Sequence, residues 1–248
     1  MRKTREKLPK SSWPSSERHV ARPVVDELTN ENWDVYQEVP VFLPHLGSEV
    51  VADIVAVRDG VIWVIECKRT LSFQLLAQAN QWLPYAHRVS IAIPTPKKDY
   101  REISFINSVL SSKGIGCFSV RPTAKSSYDE ECLDGTVTQL PLPALHRRVN
   151  SKRIKQSLLE GQKTFKDAGS SGGARFSKFR NTVELLKAAA KDNPGIALND
   201  ALRMIEHHYS SDKGAFSCIV NYIQKGVIKD LEIKTIQKKY CLFLKESK

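Results

Sequence analysis

The sequence lacks long hydrophobic runs: no apolar stretch approaches the roughly 20 residues that span a bilayer. The basic start of the chain is not followed by the apolar region of a secretory signal. A cytoplasmic protein with no membrane partner is expected. The five cysteines, Cys67, Cys117, Cys132, Cys218 and Cys241, are odd in number, scattered and free of C-x-x-C spacing. That pattern speaks against a disulfide framework and against a zinc ribbon. Acidic residues are also in deficit, with 27 Asp and Glu against 38 Lys and Arg, a formal charge of +11 and a pI of about 9.4. Such a surplus suits a polyanionic partner, of which nucleic acid is the commonest. A solvated Lys-rich surface gives the same number, so charge alone decides nothing.

What is present concentrates between Val50 and Arg69. Two β-branched runs flank Asp59-Gly60, a dipeptide that favours a hairpin with a two-residue type I′ turn. Pairing Arg58 with Val61 sets Val55 against Val64 and Asp53 directly against Glu66. Lys68 then shares the face of Glu66, because strand side chains alternate. Two opposed carboxylates repel each other and lose hydration in apolar surroundings. A hard divalent cation removes the conflict, since Cβ atoms roughly 5 Å apart allow both carboxylates to reach Mg²⁺ at about 2.1 Å. Asp53 and Glu66 are therefore candidate metal ligands, with Lys68 placed to hold or deprotonate a water. Glu-x-Lys is also an ordinary polar end to a buried strand, and only the opposed Asp53 tips the reading toward a site.

Asp53, twelve intervening residues and then Glu66-Cys67-Lys68 resemble the signature of the PD-(D/E)xK nuclease superfamily, with Ala52 where the name of that superfamily has Pro. The resemblance implies a helix, a three-strand meander, a second helix and a further strand: an α/β, restriction-endonuclease-like mixed sheet flanked by helices. It implies phosphodiester hydrolysis with Mg²⁺, Mn²⁺ serving as a substitute. The implied metal set is Asp53, Glu66 and Cys67, and Lys68 assists the attacking water.

Two flanking segments bear on that site. From Ser16 to about Glu31, Val20, Ala21, Val24, Val25 and Leu28 recur at helical spacing, which puts Glu17 on the face toward the sheet. The resemblance, above all to the resolvase branch, suggests a first-helix Glu at the metal site; Pro23, by restarting the helix, would instead leave Glu17 in a loop or cap. Ser72 caps an expected helix through about Tyr85, on which Gln74, Gln78, Gln81 and Tyr85 form a polar stripe. In several branches a Gln on this helix points at the active site or the phosphate. Gln78 is the first candidate and Gln81 the second, because Gln81-x-x-x-Tyr85 also resembles the Q-x-x-x-Y motif of recombination-type nucleases.

Strands over 33–43, 88–93 and 116–120 and a helix over 99–112 complete an α/β pattern with a mixed sheet. Residues 122–142 read as irregular. Leu145 to Phe165 reads as a basic amphipathic helix offering Arg147 and Arg148 to phosphates, and Gly169 to Gly173 as a flexible linker. Beyond it three short helices, the second capped by Asn199 and the third by Asp212, precede a hairpin, an order that resembles a winged-helix domain. DNA-facing candidates there are Lys213, Ser217 and Asn221 on the third helix and Lys234, Lys238 and Lys239 near the wing tip. The expected organisation is a basic arm (1–14), a nuclease core (15–121), a connector (122–174) and a winged-helix-like domain (175–248). The expected function is a metal-dependent DNA endonuclease acting on double-stranded DNA. The alternative is a catalytically inactive regulator of the same fold that binds DNA or protein, and a second copy or a protein partner could dock on the winged helix.

Overall fold

The structure, a computed structural model, describes residues 14–95, 100–123, 132–170 and 175–245. The basic arm, apart from Pro14, and residues 171–173 of the expected linker lie outside the described residues. The chain divides into two compact units, Met1–Arg175 and Phe176–Lys248.

The first unit is an α/β fold around one six-stranded mixed sheet. Its strands are β1 (Asp34–Leu43), β2 (Ser48–Arg58), β3 (Val61–Cys67), β4 (Arg88–Pro94), β5 (Ile115–Pro122) and β6 (Gly135–Gln139), side by side in sequence order. Short turns make β1, β2 and β3 an antiparallel meander. Helical crossovers through α2 (Phe73–Trp82) and α3 (Tyr100–Lys113) then make β3, β4 and β5 parallel. One face is covered by α1 (Arg18–Asn30), whose Val20, Val24 and Leu28 pack on Ile54, Ile65 and Val120. The other carries Leu75 and Trp82 of α2, Leu110 of α3 and Ile154 of α4 (Lys152–Ser157) over Val55, Val64 and Ile91.

Local chemistry sets the central hairpin. Asp59 and Gly60 both take positive φ, 50° and 78°, the signature of a type I′ turn, and the ladder runs from Arg58↔Val61 through Val55↔Val64 to Ile54↔Ile65. Helix α1 passes through Pro23, which is buried and removes only the donor that would have reached the His19 carbonyl. The helix does not restart there. Ser72 caps α2 by accepting the Leu75 N–H at 3.2 Å, but the helix ends at Trp82, three residues short of expectation, because Pro84 cannot continue it. Tyr85 consequently leaves the polar stripe. It is buried, stacked on His45 and hydrogen-bonded to its Nδ1 at 2.9 Å.

The region after β5 departs most from expectation. β6 pairs antiparallel with β5 inside a segment expected to be irregular. The basic helix over 145–165 is absent: α4 is a single short helix, followed by a 3-10 turn over Glu160–Lys163. The stretch before α4 is tied down by long-range backbone bonds instead, His146 N–H to His87 O and Asn150 N–H to Pro84 O. Arg147 and Arg148 are exposed in that extended stretch and lie on no helix.

The second unit packs α5 (Lys178–Asp192), α6 (Leu198–Met204) and α7 (Asp212–Gln224) against a hairpin of β7 (Leu231–Ile236) and β8 (Lys239–Leu244). Its core joins Leu186, Leu198, Leu202, Ile219, Leu231 and Leu242. Two caps differ from expectation. Ala197 rather than Asn199 precedes α6, and Ser211 rather than Asp212 caps α7, its hydroxyl accepting the Gly214 N–H at 3.2 Å. No helix among the described residues is long and apolar enough to cross a membrane.

Candidate active site

The β1–β2 register pairs Gln37 with Ile54 and Val39 with Ala52, which sets Glu38 against Asp53. The β2–β3 register, continued one step past Ile54↔Ile65, sets Asp53 against Glu66. Three carboxylates on three adjacent strands thus form one row. At that row the strands lose their alternation. Tyr36 and then Val39, Val41 and Leu43 enter the same core cluster, as do Val55 and then Ala52. The slip in β1 occurs at Glu38, whose φ of 53° is rare for a side chain with a Cβ. Backbone held in such a region costs of order 1–3 kcal/mol and persists only where neighbours enforce it.

The row opens on a cavity of about 760 Å³ lined by Glu17, Glu38, Asp53, Glu66 and Lys68, with Gln78 and Gln81 from α2 and with Arg69 and Arg175 at its edge. Glu17 is the residue before α1, and its carboxylate accepts a 3.0 Å hydrogen bond from Lys68 Nζ. Asp53 Oδ2 accepts the Cys67 N–H at 2.8 Å. Glu66 is 1% exposed and its Oε1 accepts Trp82 Nε1–H at 2.6 Å. Glu38 accepts the Gly169 N–H at 3.0 Å and lies 3.6 Å from the Arg175 guanidinium. Gln78 Oε1 is buried against the cavity wall with no hydrogen-bond partner, an acceptor that a ligand donor or water would satisfy.

Electrostatics follow from burial. Desolvation pushes the Asp53 carboxyl up to about 6, with Glu38 and Glu17 adding to the rise and the Cys67 N–H and Lys68 opposing it. Desolvation, then the Asp53 charge, holds Glu66 well above the usual carboxylate range, and a hydrogen bond between the two carboxyls adds to the rise. Burial works to lower the Lys68 ammonium, but Asp53, Glu17 and Glu66 outweigh it, so its pKa is raised and it stays charged. Two desolvated, adjacent carboxyls with raised pKa values are short of positive charge, which is the condition a cation relieves.

Asp53, Glu66, Lys68, Glu17, Gln78 and Gln81 all line one cavity; the hairpin register points to the first three, and the resemblance implies the other three. Cys67 does not join them. Its thiol is fully buried in the α1-side core, and burial together with the Asp53 and Glu66 charges pushes its pKa well up, so it offers no thiolate, and a hard cation prefers oxygen. Arg147 and Arg148 are not among the cavity residues. Lys213, Asn221, Lys238 and Lys239 are exposed on the second unit, the first two on one face of α7 and the last two at the β7–β8 turn. Glu38, Arg69, Arg175 and the Trp82 hydrogen bond were not foreseen. An acid at Glu38, amid Val35, Tyr36, Val39 and Val41, was the available signal.

Among the described residues, no group of three or more His, Cys, Asp or Glu side chains is arranged to hold a metal ion. Mg²⁺ does not require one, being commonly bound by one or two carboxylates with waters and substrate phosphates completing the shell. Asp53 and Glu66, adjacent hard oxygen donors whose burial disfavours two bare charges, fit that role. Compared with protein-family models, with curated proteins and with solved structures, the chain matches none of them.

Proposed function

We propose that this protein is a Mg²⁺-dependent DNA endonuclease, with Mn²⁺ as a substitute, whose first unit hydrolyses phosphodiesters and whose second unit binds double-stranded DNA. The observation that carries the reading is the Asp53–Glu66 carboxyl pair, desolvated and opposed across β2 and β3, with the charged Lys68 in the same cavity. The element order supports it. A helix, an antiparallel meander, a second helix and a parallel strand follow the restriction-endonuclease-like order implied by the Asp53…Glu66-Cys67-Lys68 motif. In the second unit, three helices and a hairpin resemble a winged helix, with Lys213, Ser217 and Asn221 exposed along α7. Such a domain places its third helix in the major groove and its wing on the backbone.

The division of labour is as follows. Asp53 and Glu66 would hold the metal ion, which when bound supplies Lewis-acid stabilisation of phosphoryl oxygens and a more acidic water. Trp82 fixes Glu66 through its indole N–H. Lys68, held by Glu17, orients the attacking water or balances charge growing on the phosphate. Gln78 offers its unpaired amide oxygen to the attacking water. Arg69 and Arg175, at the cavity edge, contact flanking phosphates. Incubation with supercoiled, linear and branched DNA, with Mg²⁺ and with EDTA, tests the assignment. Cleavage in Mg²⁺ alone is expected, and equal cleavage in EDTA would remove the metal from the mechanism.

A further inference from the structure

The stretch Lys163–Ser170 lies C-terminal to every strand of the sheet, yet it reaches back to the cavity. Gln37 of β1 holds both ends of it, Nε2 donating to the Lys163 carbonyl at 3.1 Å and Oε1 accepting the Ala168 N–H at 2.9 Å. Ala168 is 1% exposed, seated in the α1-side core. Asp167 pairs with Arg18 and Arg22 on α1. Gly169, two residues after Asp167, donates its N–H to Glu38 at 3.0 Å and takes a φ of +73°. A Cβ there would lie 2.7 Å from the backbone carbon and Cβ of Glu17 and 2.9 Å from Arg18 N. Only glycine fits that contact.

Glu17 is the residue so closely approached, and its carboxylate holds Lys68 Nζ at 3.0 Å. Its carbonyl accepts the Val20 and Ala21 N–H groups at 2.9 Å each, so its backbone is also the first turn of α1. A continuous set of contacts therefore runs from Glu38 through Gly169 and the backbone of Glu17 to Lys68. We infer that residues 163–170 are a positioning strap, clamping the start of α1 to β1 so that Glu17 holds Lys68 over the carboxylate row. Gly169 and Glu38 act as positioning residues. This explains why a Glu at positive φ stands in β1: its carboxylate is the anchor for the strap. It also means that the catalytic unit is not complete at β6, because the chain leading to the second unit forms a wall of the cavity. The catalytic consequence rests on the nuclease reading; the clamp itself does not.

The experiment compares Gly169→Ala, Glu38→Ala and Glu38→Gln with the full-length protein, by single-turnover cleavage in Mg²⁺, DNA affinity, melting, and hydrogen exchange over residues 17–21. In Gly169→Ala and Glu38→Ala, cleavage should fall on the order of tenfold to a hundredfold, the scale of an ångström-level displacement, with DNA affinity little changed. Exchange at Val20 and Ala21 should quicken in both. Glu38→Gln keeps an oxygen for the Gly169 N–H and should cleave and exchange nearly as the parent does. The strap is overturned if exchange over 17–21 is unchanged in Gly169→Ala and Glu38→Ala, or if Glu38→Gln is as slow and as fast-exchanging as Glu38→Ala. A parent protein that cleaves nothing sinks the nuclease reading instead, and the exchange result then decides the strap by itself.

Discussion

Trp82 Nε1–H, on a fully buried indole of α2, donates a 2.6 Å hydrogen bond to Oε1 of Glu66 on β3. One oxygen of the carboxylate is thereby committed to the protein, and the other is left on the side of Asp53. The bond acts against desolvation, since it favours the charged form of Glu66.

Trp82→Phe keeps much of the apolar volume and removes the donor. The Glu66 carboxyl should then rise further, so the acidic limb of the pH–rate profile for Mg²⁺-dependent cleavage moves to higher pH. Stability should fall by about 1–3 kcal/mol, the cost of an unsatisfied buried acceptor. A pH profile superimposable on that of the parent would show that the indole only fills space.

The raised carboxyls also set how metal-free stability varies with pH. Asp53 sits at about 6 in the fold against an ordinary value of 3.8. Between those values the folded state holds a proton that the unfolded chain has released, and Glu66 shifts in the same direction. The stabilising contribution is thus fully present below about pH 4 and lost as pH rises through about 6. In EDTA, acidification from neutral pH toward about pH 5 should raise the melting temperature. Asp53→Asn, whose amide oxygen can still accept the Cys67 N–H, should flatten that dependence, melt higher than the parent at neutral pH, and gain nothing from Mg²⁺. Thermal melts with and without the metal check all three, and an Asp53→Asn protein that melts lower at neutral pH would contradict the desolvated-pair account.

The legible part of this site was the part set by local chemistry. Asp59-Gly60 dictates a two-residue turn, and the turn carries Asp53 to Glu66 by counting alone. Glu38 could not be counted in the same way, because the β1–β2 connection is the four-residue stretch Pro44–Gly47 and the strand kinks at Glu38 itself. β6 was masked by its neighbours: Pro141 and Pro143 suggest irregular structure, while Thr136, Val137 and Thr138 carry the β-branched signal. The periodicity over 145–165 was real but served other contacts. Ile154 and Leu158 anchor one helical turn in the core, and distant carbonyls of His87 and Pro84 take the backbone donors before it. Long-range pairing of this kind overrides helical pattern and leaves no local trace.

The two units, each with its own core, should be separable. Removing residues 176–248 should leave the first unit folded, weaken DNA binding and flatten the slope of log affinity against log salt, since the exposed Lys213, Lys238 and Lys239, the phosphate contacts proposed for this unit, are lost. Titrations at several salt concentrations measure this. An unchanged slope would assign the second unit to a protein partner or a second copy of the chain.

Lys68 is where chemistry and binding separate most cleanly. Its ammonium lies among Glu17, Asp53 and Glu66, paired with Glu17 at 3.0 Å and partly open to the cavity. On the proposed nuclease reading it would meet charge that develops on a phosphate during cleavage, an interaction stronger in the transition state than in the bound substrate. Lys68→Ala should therefore lower single-turnover cleavage by a factor on the order of 10² or more, the scale of one lost electrostatic stabiliser, with DNA affinity little changed. The substitution also leaves Glu17 beside the Asp53–Glu66 pair without a counter-charge, so the metal-free protein should melt lower near neutral pH, and Mg²⁺ should recover much of that loss. The two effects are distinguishable because the rate is measured on protein that melting shows to be folded in Mg²⁺. A strand-end lysine with no part in the reaction would leave the rate unchanged. A folded Lys68→Ala protein that cuts as fast as its parent would leave the mechanism to Asp53 and Glu66, and Glu17 would then have no catalytic partner to hold.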